Sequence, residues 1–168
     1  MKDNFWMGHT DNNDEFLSAL QQRTDELYQV PDKETDDDGL IECAALILRD
    51  TIVFPRMVSP IFVTPGPNQE AIGDAQEAFE TMIAIVLKDA DIEDPGPNDF
   101  YTMGIEVSVG RLLNMPDGNY STLIQGRRRV ELVEFSQADP FYRVKGRIIE
   151  EPKRVTRQTE ALMRTARD

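Results

Sequence analysis

Few residues in this 168-residue chain could do chemistry, and their spacing works against it. The only histidine, His9, stands in a polar N-terminal stretch, so no histidine-based triad or multi-histidine metal site can be assembled. The only cysteine, Cys43, lies inside the apolar run "LIECAALIL" and reads as a small buried hydrophobe rather than a nucleophile. One cysteine makes no internal disulfide, which suits a reducing cytoplasm. Serines and lysines are present, but no strained nucleophile turn or oxyanion-hole motif accompanies them, so a Ser-Lys dyad is not expected. Asp89, Asp91, Glu93 and Asp94 alternate like the start of a calcium loop. Counted from Asp89, however, Asp94 occupies the place of the loop's glycine and Phe100 that of its closing glutamate. A solvated loop stiffened by Pro95 and Pro97 is the better reading. No phosphate-binding GxxxxGK[ST] loop or GxGxxG fingerprint occurs. The sequence therefore predicts no catalytic residue, no metal ligand and no cofactor for this chain.

Charge narrows the partners. The net charge is −13, divided into −17 over residues 1–110 and +4 over residues 111–168. Acidity of this size keeps a chain dissolved and repels phosphate backbones and anionic lipid, so nucleic acid is an unfavourable partner. An RNA-binding reading would have to rest on Arg127, Arg128, Arg143, Lys145 and Arg147. In "GRRR", Gly126 to Arg129, strand alternation places Arg127 and Arg129 on one face and Arg128 on the other, which splits the cluster. Glu131 and Glu134 offer partners close by, and no aromatic side chains interleave as base stacking requires.

The elements that must carry these residues are legible in outline. Residues 1–39 read as an acidic extension: a helix capped by Asn13 or Asp14 and running to about Tyr28, with Phe16, Leu20, Leu27 and Tyr28 along its seam, then the flexible linker "VPDKETDDDG". From Leu40 to Glu151 the apolar pattern is dense. "LIECAALIL" predicts a buried strand, and Phe54-Pro55 a corner. "MVSPIFV" predicts a second strand at an edge or bulge, because Pro60 has no N–H to give a ladder. "PNQEAIGDAQEAFETM" predicts a helix with Asn68 as a cap and Ile72, Ala75, Phe79 and Met82 on one face. Strands follow at "MIAIVLK", "MGIEVSVGRLLNM", "YSTLIQGRRRVELVEF" and "YRVKGRIIEE", with Asp117-Gly118 as a hairpin turn. About six strands around one helix make a mainly β fold with α (α+β), a closed or half-closed barrel, since short strands protect their edges by closing. After Pro152 the pattern turns helical and reaches Asp168 without a stop signal, so residues 152–168 read as the beginning of a longer helix. No apolar run is long enough to span a membrane, and no export signal opens the chain.

Three ordered stretches resemble one family, the N-terminal domain of ATP-dependent Lon proteases. "ALILRDTIVFPRMVSPIFV" is similar to its opening of apolar strand, Arg-Asp/Asn-Thr, apolar pair, Pro and second strand. "LKDADIEDPGPNDFYTMG" is similar to its acidic, proline-containing loop ending in an aromatic and Gly, and "NMPDGNYSTLIQGRRRVELVEF" to its hairpin followed by Gly and Arg-Val. Met115-Pro116 stands where the family more often has Leu-Pro, and the acidic extension has no counterpart. The resemblance spans about Leu40 to Glu151.

It implies a PUA-like pseudobarrel that holds unfolded or damaged polypeptides for a cytoplasmic, hexameric, ATP-dependent protease and supports its assembly. The ATPase domain, with its ATP and Mg, and the Ser-Lys peptidase would lie downstream of this chain. A stand-alone adaptor that recruits a partner protein through the same domain is the alternative. For polypeptide binding the candidates are Phe54, Met57, Leu113 and Met115, apolar residues beside turns, where full burial is least assured.

Overall fold

A computed structural model describes residues 10–150, with side chains from Asp14 onward; His9 and the helix expected after Pro152 lie outside the described residues. Among the described residues two α-helices, α1 (Thr10–Gln29) and α2 (Pro67–Ala78), accompany seven strands. These are β1 (Leu40–Leu48), β2 (Val58–Val63), β3 (Met82–Val86), β4 (Met103–Val109), β5 (Leu113–Asn114), β6 (Tyr120–Gln137) and β7 (Arg143–Ile149). The stretch expected as one strand from Met103 breaks after Val109, because the Gly110 N–H and C=O turn to Leu123 and Thr122, and only Leu113 and Asn114 pair again. The hairpin expected at Asp117-Gly118 joins β5 to β6, with Gly118 at φ 86°, a conformation that suits glycine.

The sheet is organised by β6, whose 18 residues pair with β2, β4, β5 and β7. Hydrogen-bonded neighbours run from β6 through β4, β3, β1 and β7 and return to β6. β2 stands outside this circuit, paired among the described residues with β6 alone, which is the edge position that Pro60 demands. The result is a pseudobarrel with an open flank, mainly β with α.

β1 and β3 are parallel neighbours, with Ala45 beside Ile83 and Leu48 beside Val86. A parallel pair needs a crossover, and here the crossover lays α2 against the sheet. Both faces of these strands are consequently covered. Leu46, Leu48, Met82 and Ala84 pack with Ile61, Ile72, Ala75 and Ile124, whereas Ile41, Cys43, Ile83 and Ile85 pack with Phe100, Val130 and Val144. Burial on two faces explains why these stretches are apolar without alternation.

Two local readings need correction. Asn68 does not cap α2: its amide accepts the Ile47 N–H (2.9 Å) and donates to the Ile47 C=O (2.8 Å), fastening the helix to β1. The helix also stops at Ala78. Phe79 adopts φ 55°, and the N–H groups of Phe79 and Glu80 close the last turn on Gln76 and Ala75. Phe79 therefore projects into solvent, while Met82 enters the core from β3.

The part of the acidic extension around residues 27–33 is fastened rather than loose. α1 already includes Asn13 and Asp14, the expected caps, and its C-terminal end is seated: Leu27 is fully buried, while Phe16, Leu17 and Tyr28 are exposed. Val30 is buried too, and residues 32 and 33 are bound to the sheet by charges from distant strands, which linker-like composition does not reveal.

Candidate binding surface

The groups that could have been reactive are committed to structure. Burial is the main reason the Cys43 thiol is pushed up to about 12, and the negative charge of Glu106 adds to it. Glu106, fully buried on β4, accepts the Lys33 N–H and the Thr81 hydroxyl, each at 2.7 Å, and the Arg128 Nε at 2.6 Å. In the acidic loop the Asp89 carboxylate accepts the Asp91 N–H, and Arg49 donates to the carbonyls of Ala90 and Ile92. Among the described residues no group of three or more His, Cys, Asp or Glu could hold a metal.

The five basic residues of the RNA reading are likewise engaged. Arg127 pairs with Asp32 (2.9 Å) and Arg128 with Glu106, Arg143 with Glu42 and Asp74, Lys145 with Glu42, and Arg147 with Glu131. Arg127 also donates to the Leu27 C=O at the C-terminus of α1, and Arg128 to the Lys33 C=O. The partners of Arg127 and Arg128 come from the extension and from β4, not from the nearby Glu131 and Glu134.

Against this neutralised background the bend between β1 and β2 stands out. The Met57 N–H returns to the Phe54 C=O, with Pro55 at the second turn position and Arg56 at the third with φ 67°. That is the arrangement of a type II turn, whose third position favours glycine. The turn sits on Gly126. The Arg56 N–H donates to the Gly126 C=O (2.8 Å) and the Gly126 N–H to the Met57 C=O (2.9 Å). A Cβ on Gly126 would lie 2.1 Å from the Phe54 carbonyl oxygen, so only glycine permits the approach. This is also where one edge of β6 exchanges β2 for β7 as its partner.

The bend lifts Phe54 and Ile52 into solvent, 56% and 63% exposed, beside Met103 at the start of β4. Between them lies an apolar cavity of about 280 Å³ floored by Ala84, Val86, Gly104 and Ile105. Of the four candidates, Phe54 lines it; Met57, three residues on, is exposed at the other side of the turn. Leu113 is exposed on β5 and Met115 half-buried in the hairpin, away from the cavity. Leu113 and Phe62 are both paired with Ser121, on opposite sides of β6, so the two exposed side chains share an outer face of the sheet. Ile52, Phe62 and Met103 escape sequence reasoning. Alternation in "MVSPIFV" was the one available signal, since it puts Phe62 opposite Ile61 and Val63.

A pseudobarrel with an apolar cavity at the edge of its bend has the build of a binding domain. The chain belongs to the family of the ATP-dependent protease La (LON) substrate-binding domain, which it matches over residues 42–168. It is 32% identical over 126 residues to the Lon protease of Escherichia coli K12, covering 75% of this chain and 16% of that protein. It is 35% identical over 125 residues to the Lon protease of Desulfovibrio desulfuricans, covering 73% and 14%. The chain thus spans only about a sixth of these relatives. In structure it is similar to the N-terminal domain of Mycobacterium avium complex Lon protease, with TM-score 0.53, 22% identity and coverage of 74% of this chain and 62% of the other. The Lon N-terminal domain protein from Xanthomonas campestris gives 0.52, 16%, 74% and 70%. The matched region is the non-catalytic part of its family, and a substrate-recognition role follows from it.

Proposed function

We propose that this domain holds unfolded or damaged polypeptides by their apolar stretches, for degradation by an ATP-dependent protease. The exposed Ile52, Phe54 and Met103 around an apolar cavity on a braced sheet carry this reading. Native proteins hide such stretches, so a fixed apolar surface distinguishes unfolded from folded chains. Met57, Leu113 and Met115 belong to the same reading as secondary contacts, Leu113 together with Phe62. In the full enzyme, several copies of the domain in a cytoplasmic hexamer would add avidity to individually weak contacts and help the subunits assemble, with ATP and Mg confined to the ATPase domain. No described helix is long and apolar enough to cross a membrane. The test is retention of a permanently unfolded protein against its folded form on the immobilised chain. Retention of the unfolded form alone is expected, with a loss of about tenfold in an Ile52→Asp/Phe54→Asp variant of unchanged circular dichroism. Equal retention of both forms, or an unaffected variant, refutes the proposal.

A further inference from the structure

The apolar cavity has a charged neighbour. On the other side of the Phe54–Met57 turn lies a second cavity of about 340 Å³, lined by Pro55, Arg56, Arg129, Ile149 and Glu150 together with Arg127 and Arg128. Arg129 lines both cavities. Its position in the sheet explains this, because it is registered with Ile105 of β4 on one side and Ile149 of β7 on the other.

Arg127 and Arg128 are answered by Asp32 and Glu106, but Arg56 and Arg129 form no ion pair among the described residues. Both are exposed, and among the described residues the one carboxylate in the second cavity is Glu150. In a chain of net charge −13, two guanidinium groups beside an apolar cavity, neither in an ion pair among the described residues, mark a local reversal of sign. Arg56 is held there at a backbone cost, since φ 67° is unfavourable for any residue but glycine, asparagine or aspartate.

We propose that Arg56 and Arg129 form a cationic subsite of the polypeptide-binding surface, selecting apolar segments that carry an acidic side chain next to them. This rests on the reading of the apolar cavity given above. The apolar residues of such a segment would occupy the cavity of Ile52, Phe54 and Met103, and its carboxylate would pass over the turn to the guanidinium pair. Charge complementarity identifies this occupant. A second copy of the same acidic chain would meet repulsion, and a polynucleotide would find Arg127, Arg128, Arg143 and Arg147 already engaged.

The test uses the whole chain and two fluorescein-labelled peptides of about ten residues, amidated at the C-terminus. They share an apolar sequence and end in an Asp pair or an Asn pair; binding is followed by anisotropy. The Asp peptide is expected to bind about fivefold tighter at low salt, and the difference should vanish near molar salt. Arg56→Gly and Arg129→Gln should each narrow the ratio between the affinities of the Asp and Asn peptides towards one; Glu150→Gln should widen it. Arg56→Gly should also raise the denaturant midpoint, because it removes the positive-φ strain, so lost preference cannot be ascribed to unfolding. Equal affinity for both peptides overturns the cationic subsite and leaves the apolar reading standing. Binding of neither peptide overturns both. A preference that survives the Arg56→Gly/Arg129→Gln double variant, or concentration-dependent dimerisation that the peptides abolish, also overturns the proposal.

Discussion

At the scale of single residues, Glu106 and Cys43 show how polar chemistry is turned into structure. Replacing Glu106 by Gln removes the charge that answers Arg128 and aims an amide donor at the guanidinium. The expected cost is about 3 kcal/mol, read as a lower urea midpoint at unchanged slope. Replacing Arg128 by Met as well should recover part of it, because no lone charge then remains. Cys43 governs alkaline behaviour. Its thiol is raised from 9.0 to about 12 in the folded chain, so its contribution to stability is complete below pH 9.0 and is lost as pH rises towards 12. Near pH 10 the difference between wild type and Cys43→Ala should shrink by about 1 kcal/mol, and thiol reagents should react only as fast as the chain opens. The burial of Cys43 was legible because it sits in an unbroken apolar run. That of Glu106 was not: alternation in "MGIEVSV" puts Glu106 and Ser108 on a face that looks solvent-facing, and the extension that covers this face arrives from more than 70 positions away.

At the scale of elements, strands and the hairpin were readable, while the places where elements lean on each other were not. α1 has no basic residue in its own last turn; its C-terminal carbonyl is met instead by Arg127 of β6, a hundred positions along the chain. Arg127→Ala should therefore release the end of α1 and residues 30–34 without opening the sheet. Hydrogen exchange should lose protection there by about tenfold and stay unchanged in β3 and β4, whereas Arg127→Lys should restore only part of it, since one ammonium cannot reach Gln125, Asp32 and Leu27 together. The surface follows the same rule. The exposure of Phe54 was legible from its proline corner, but Ile52 and Met103 meet only through strand registers that single-sequence periodicity does not contain, and the turn that presents Phe54 depends on a glycine about seventy residues away.

At the scale of the whole molecule, the charge asymmetry has a role that composition hid. Six of the eight ion pairs among the described residues join an acid in the first 110 residues to a base after them. The excess of each half is thus partly consumed by the other, and the asymmetry that reads as a solubility device also brings the two halves together. The family resemblance was visible because its three stretches are local, while the cavity and the guanidinium pair are properties of the assembled sheet. The long strand β6 carries a last consequence, for how such a domain can change. It has two partners on each edge, so one residue inserted in its middle would reverse the facing of every side chain beyond that point against β4 and β7 at once. One inserted between Asp117 and Gly118 would lengthen an exposed hairpin and disturb neither. A scan of single-glycine insertions scored by soluble expression should find β6 intolerant over Ile124–Leu132 and the hairpin tip permissive, so that new sequence enters this fold at its turns and almost never through its spine.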